Sequence, residues 1–122
     1  MTVRECLDRV RAIPGANADE DMMLTWLSDT EGLIFEEIIL HREGAPIESF
    51  EGYAESDSEA ELLAKEPYAS LYVYYVTAQI YLYYADIARY NTYLVLYRDA
   101  YEEFAGYWAR GHRQKDNVRC KK

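Results

Sequence analysis

No formal charge interrupts the nineteen residues from Pro67 to Ala85. That absence excludes an ordinary surface helix, whose solvent face carries polar and charged side chains. Tyr72, Tyr74, Tyr75, Tyr81, Tyr83 and Tyr84 fall in the same run, with Gln79 near its middle. Six phenol tips and an amide make a poor membrane span, because Tyr prefers interfacial depth. Lys and Arg are absent from residues 67–88. A base-stacking platform needs cations beside its rings, so these aromatics do not read as a nucleic-acid surface. The run predicts a helix that protein must enclose. A chain of 122 residues has few other elements, so other copies of the chain are its expected cover.

Catalytic signatures are missing as well. The two cysteines, Cys6 and Cys120, lie near opposite ends with no Cys-x-x-Cys or Cys/His spacing. They predict free thiols in a reducing compartment, Cys6 in the core and Cys120 on an exposed tail. The acidic, polar start has no apolar segment of the secretory kind. His41 and His112 lack the i, i+4 partner that a zinc-binding helix needs. Asp19-Glu20-Asp21, Glu36-Glu37 and Glu102-Glu103 are adjacent acids, which point about 100° apart on a helix and share no proton. Ser58 and Ser70 have no Gly-flanked elbow, and no Gly-rich loop is available to cradle phosphate. The expectation is a protein that is not an enzyme, with no catalytic, cofactor-binding or metal residues.

What is present is uneven charge and strong periodicity. The net charge is −9, with 17 acids against 5 bases in residues 1–66 and 5 against 8 in residues 67–122. Eight carboxylates face only Lys65 between Glu43 and Glu66. Six bases and one acid fill Arg110–Lys122. Such a body repels nucleic acid, while the basic end reads as a solvated, flexible tail.

Thr2-Val3-Arg4-Glu5 has the form of a capping box. It predicts a helix to about Ile13 with Val3, Leu7 and Val10 on one face, stopped by Pro14-Gly15. Asn17-Ala18-Asp19-Glu20 predicts a second start, followed by Met23, Leu27, Ile34 and Ile38 at helical spacing. Trp26, Leu33 and Ile39 flank that stripe, Gly32 interrupts it, and Thr30 beside it marks a candidate kink. Gly44 is the expected stop. Residues 44–60 read as an irregular acidic loop anchored by Ile47, Phe50 and Tyr53, with room for a short strand pair. Pro67 suits the first turn of the next helix. From there Val73, Val76, Ile80, Tyr83, Ile87, Tyr90, Leu94, Tyr97, Tyr101, Phe104 and Trp108 step by three and four, the seam of helices packed side by side. Arg98 and Glu102 stand one turn apart as a candidate ion pair. Periodicity fits either one rod or a hairpin over residues 67–110, and the length of a free rod favours a break near Asp86–Asn91. The expected fold is all-α: one domain over residues 1–111, a bundle of four to five helices, then a tail over residues 112–122. Tyr72, Tyr74, Tyr75, Tyr81 and Tyr84 are the expected interface residues.

These segments together resemble a known family. The carrying residues are Thr2-Val3-Arg4-Glu5, Trp26-Leu27, Glu31-Gly32-Leu33-Ile34-Phe35-Glu36-Glu37 and Glu61-Leu62-Leu63. After them come Pro67-Tyr68-Ala69-Ser70-Leu71-Tyr72-Val73-Tyr74-Tyr75, then Arg89-Tyr90-Asn91 leading to Leu96-Tyr97 and Ala100-Tyr101. Their order and spacing resemble the head–tail connector, or head-completion adaptor, proteins of long-tailed bacteriophages and prophages, over about residues 2–108. Members often carry Gly just before the Arg-Tyr-Asn segment, where Asp86-Ile87-Ala88 stands here. The basic tail after Gly111 matches no element of the family. The resemblance implies an all-α subunit of a closed, dodecamer-like ring of identical copies. That ring would bridge the portal protein and the next tail-side connector in the virion neck, after assembly in the host cytoplasm. DNA would pass through without sequence-specific contact, and neither a membrane nor a cofactor is implied. A second reading of the residues is a cytoplasmic helical module that binds a peptide or protein partner through a Tyr-rich groove.

Overall fold

Thr2 starts the first helix by the mechanism its sequence encodes. In the computed structural model, which describes residues 1–114, Thr2 Oγ1 accepts the Glu5 amide at 3.1 Å. Glu5 Oε1 in turn accepts the Thr2 amide at 2.8 Å. Helix α1 runs over Val3–Arg11 with Val3, Cys6, Leu7 and Val10 buried. The amides of Val3 and Arg4, which no helix bond can satisfy, donate to the carbonyls of Ala60 and Ser58.

Helix α2 spans Glu20–Ile34 and passes through Gly32 without a break. The irregularity comes later. Phe35–Ile39 form a π-turn in which the Leu40 amide reaches the Phe35 carbonyl at 2.8 Å. The extra residue per turn rotates the stripe, so Phe35, Ile38 and Ile39 are all buried. Thr30 therefore marks no kink; its hydroxyl lies 2.8 Å from the Tyr97 hydroxyl inside the core. Gly32 leaves room for the Phe50 ring, 4.0 Å from where a Cβ would stand.

The strand pair is absent from the described residues. The only β-pairings there are the single bridges Thr2–Glu61 and Arg42–Gln114. Side chains take the backbone bonds a ladder would have used. The Tyr53 amide donates to Ser28 Oγ at 2.9 Å, and the Ala54 amide to Asp57 Oδ2 at 2.7 Å across the short 3-10 turn Glu55–Asp57. Phe50 and Tyr53 meet edge to face at 4.9 Å and pack on the core.

Helix α3 spans Ser70–Tyr83, three residues later than Pro67 suggested, because tight turns over Lys65–Ala69 precede it. It packs against α1, α2 and the last helix, α4 (Ile87–Gly111). Eight of its fourteen residues are buried, on every side of the helix. Its cover therefore comes from its own chain, and the expectation that other copies must supply it is corrected. A helix of that length is only about 21 Å long, short enough for three neighbours and the loop to wrap.

Residues 67–111 form a hairpin rather than a rod. The turn is Tyr84-Ala85-Asp86, slightly earlier than expected. Ala85 sits in the left-handed region at φ 61°, and Asp86 Oδ1 caps α4 by accepting the Arg89 amide at 3.2 Å. The reversal breaks the seam locally. Val73, Val76 and Ile80 are buried, as are Tyr97, Phe104 and Trp108, but Tyr83 and Ile87 are exposed at the turn. Arg98 and Glu102 form no ion pair among the described residues; water competes well for so exposed a pair.

The domain continues past Gly111. Arg42 Nη1 donates to the His112 carbonyl at 2.9 Å, the Glu43 amide donates to the Arg113 carbonyl at 2.8 Å, and the His112 ring stacks on Trp108 at 3.5 Å. Gly44, at φ 87°, fits this junction because a Cβ would stand 3.0 Å from His112. The boundary therefore moves from 111 to at least 114. Residues 115–122, with most of the expected basic tail and Cys120, lie outside the described residues.

Ala85 is exposed, so its methyl adds little packing. The left-handed conformation costs an alanine about 1–2 kcal/mol, and glycine is freer in the unfolded chain. Ala85→Gly is expected to raise stability by roughly 0.5–1 kcal/mol in urea unfolding. A loss of stability would show that the turn carries no strain.

Candidate functional site

Two constellations stand out, one sealed and one open. The sealed one surrounds Glu31, which has no exposed surface. Position 31 lies on the buried face of α2, between Leu27 and Ile34. Three donors converge on its carboxylate: Tyr72 Oη at 2.6 Å on Oε1, with Tyr53 Oη at 2.7 Å and the Leu63 amide at 2.8 Å on Oε2. Tyr72 Oη also accepts the Ala64 amide at 2.7 Å. Burial raises the Glu31 pKa, and the three hydrogen bonds oppose that shift without cancelling it. Burial and the adjacent carboxylate push the Tyr72 and Tyr53 phenols upward. No lysine or arginine lies within ion-pairing distance of Glu31 among the described residues. Closed off in this way, the carboxylate holds elements together rather than meeting a substrate.

The expected interface tyrosines separate into groups. Tyr72 is fully buried on Glu31. Tyr81 is buried, its hydroxyl donating to the Pro14 carbonyl at 3.2 Å. Both belong to the core of a single chain, which corrects their assignment to a surface between copies. Tyr74 and Tyr75 are half-buried beside Tyr93 and Tyr97, with ring centroids 6.4 Å and 4.9 Å apart. Tyr84 alone of the five is largely exposed.

The open constellation is the tip of the α3–α4 hairpin. Leu82, Tyr83, Tyr84 and Ile87 are 42%, 60%, 56% and 51% exposed, a contiguous apolar cap. Tyr83 and Tyr84 meet edge to face at 5.2 Å and 77°, and Tyr83 also approaches Trp26 at 6.4 Å. Beside them lies a cleft of about 310 Å³ lined by Asn17, Ala18, Asp19, Met22 and the two tyrosines. Asp19 stands at the cap position of α2 yet accepts no capping hydrogen bond. Two tyrosines, a thioether and one carboxylate make this a candidate binding surface. It brings together no nucleophile and base.

Tyr83 and Ile87 were missed in the sequence because their three-and-four spacing reads as buried seam, and Leu82, off that seam, shares the charge-free run that predicts cover on all sides. The signal for Glu31 was a gap: the stripe Met23, Leu27, Ile34, Ile38 skips one turn, and Thr30 and Glu31 fill it. Cys6 is fully buried, and burial pushes its thiol up to about 12, so it is a packing residue rather than a nucleophile. Among the described residues no group of three His, Cys, Asp or Glu side chains is placed to hold a metal ion. No helix among them is long and apolar enough to cross a membrane. No protein-family model matches the chain, and neither does any curated protein or solved structure.

The Glu31 shift has a definite sign. The folded chain holds this proton to higher pH than the unfolded chain does. Stability from this group is therefore complete below the ordinary carboxylate range and is lost as pH rises through the raised folded value. Urea unfolding from about pH 4 to pH 8 is expected to show wild-type stability falling relative to Glu31→Gln as pH rises. A difference constant with pH would show that Glu31 titrates normally.

Proposed function

We propose that this chain is a non-enzymatic structural subunit of a phage or prophage particle, forming a ring that joins the portal vertex of the head to the tail. The observation that carries the reading is the bare hairpin tip. Two tyrosines, a leucine and an isoleucine lie uncovered within six residues at one corner of the chain, while Leu33, Val95, Leu96 and Tyr107 are exposed elsewhere. A contiguous apolar patch of this kind, rimmed by polar groups, marks a surface for another protein. The ordered motifs from Thr2 to Tyr101 and the all-α architecture agree with a connector subunit. The interface in this reading is Leu82, Tyr83, Tyr84 and Ile87, with Tyr72 and Tyr81 supporting it from within.

Charge placement fits the same role. Glu43, Glu48, Glu51, Glu55, Glu59, Glu61 and Glu66 are all exposed. Like charge of this density would keep DNA from adhering as it passes through the ring. For the reading as a Tyr-groove binding module, the cleft between Leu33, Glu37, Tyr97, Arg98, Tyr101 and Glu102 holds about 220 Å³, below the usual ligand-pocket range of roughly 300–1,000 Å³, and the Tyr83–Tyr84 cleft of about 310 Å³ is at its lower end.

The double variant Tyr83→Ser, Tyr84→Ser is expected to melt within about 0.5 kcal/mol of wild type, since both rings are exposed. It should lose ring formation on portal particles from the same genome, read by sedimentation and negative-stain imaging. Unchanged ring assembly would remove the tip from the interface, and a wild-type chain that never rings the portal would end the connector reading. Replacing Glu48, Glu51, Glu55 and Glu59 with Gln should increase DNA retained on such particles. Equal retention would detach the acidic face from DNA passage.

A further inference from the structure

The cleft at the hairpin tip has an unusual lining for a purely apolar contact. Tyr83, Tyr84 and Met22 line it together with Asp19. Two neighbouring acids are matched, Glu20 accepting Arg11 at 2.8 Å and Asp86 accepting Arg89 at 3.3 Å, while Asp21 adds a second carboxylate without an ion pair among the described residues. Asp19 has neither a cap hydrogen bond nor an ion pair among the described residues. Aromatic faces beside a free carboxylate favour a cation, since ring quadrupole and charge attract it together.

The chain carries such cations at its other end. Residues 115–122 contain Lys115, Arg119, Lys121 and Lys122 against a single acid, Asp116. They follow Gln114, which is bridged to Arg42, whose guanidinium reaches the carbonyl of Ala109. Helix α4 separates Ala109 from Ile87 by 22 residues, about 33 Å. Five residues, from Gln114 to Arg119, span at most about 18 Å, and eight span at most about 29 Å. A relaxed segment of eight residues covers roughly 16 Å. Eight residues are thus shorter, even extended, than the stretch of α4 between Ala109 and Ile87, and a relaxed segment is about half of it.

The geometry points to a head-to-tail contact: the basic segment 115–122 of one copy docks in the Asp19–Tyr83–Tyr84 cleft of the next. This inference rests on the assembly reading above and names the surfaces by which copies meet. Because the two surfaces differ and lie at opposite ends of α4, the contact is heterologous, the type that closes into rings or runs on as filaments. Each contact is weak alone and adds strength when a ring closes, because the last link forms within one particle.

The test uses full-length chains, half of them ¹⁵N-labelled, mixed and treated with a zero-length carbodiimide that couples lysine amines to carboxylates. Mixed-isotope links from Lys121 or Lys122 to Asp19 are expected, several-fold weaker at high salt. D19K alone, or K121E with K122E, should abolish them. The chain carrying all three substitutions should again link position 19 of one copy to position 121 or 122 of another. Two results would overturn the contact: links confined to single copies, or no recovery in the charge-swapped chain. Rings that form on the portal without these links would leave the assembly reading standing and this contact refuted.

Discussion

A single buried carboxylate organises this fold. Glu31 projects from α2 into a space where water cannot reach it, and an acid there is tolerable only with its oxygens occupied. Its three donors come from different parts of the chain: Tyr53 from the acidic loop, Leu63 from the segment after it, and Tyr72 from α3. One residue thus ties the loop and the central helix to α2. The loop needs such a tie, since it has no ladder and carries many like charges. Hydrogen bonds to a buried charged group have strict geometry, so the cluster sets position as well as strength.

With the loop held, α3 can be hydrophobic on all sides within a small chain. α1, α2 and α4 each cover part of it, and residues 62–64 are buried beside it. Cover runs out at the hairpin turn, beyond the reach of the other elements, and there Leu82, Tyr83, Tyr84 and Ile87 stay bare. Buried and exposed positions are in this way divided between different tyrosines at the end of α3 and in the turn after it. Tyr72 and Tyr81 bury hydroxyls with partners in the chain, whereas Tyr83 and Tyr84 keep theirs in water.

Much of the architecture was legible in the residues. The Thr2–Glu5 capping box, the buried faces of α1 and α2 and the all-α class all follow from local chemistry that acts over a few residues; the helical stretch after α2 stops at Ile39, five residues before the expected Gly44, because the π-turn ends it. The hairpin was legible in outline, though its turn uses Ala85 where a glycine would signal it. The candidate site was much less legible. Three-and-four spacing says that Tyr83 and Ile87 share a stripe with the core, but not that the chain reverses between them. Glu31 differs in sequence from the solvated pair Glu36-Glu37 only by filling the skipped turn of the apolar stripe, which does not name its donors.

The sequence by itself determined that the chain is helical, how the first helix starts, which faces of α1 and α2 turn inward, and that most of the stretch after Pro67 needs cover. Those outcomes depend on backbone propensity, caps and side-chain period, all local. Only the tertiary structure decided what covers that stretch, which tyrosines are spent on the core, and that Glu31 gathers donors 22, 32 and 41 residues away along the chain. Such choices turn on how long each element is and which ends meet in space, and no local pattern encodes them.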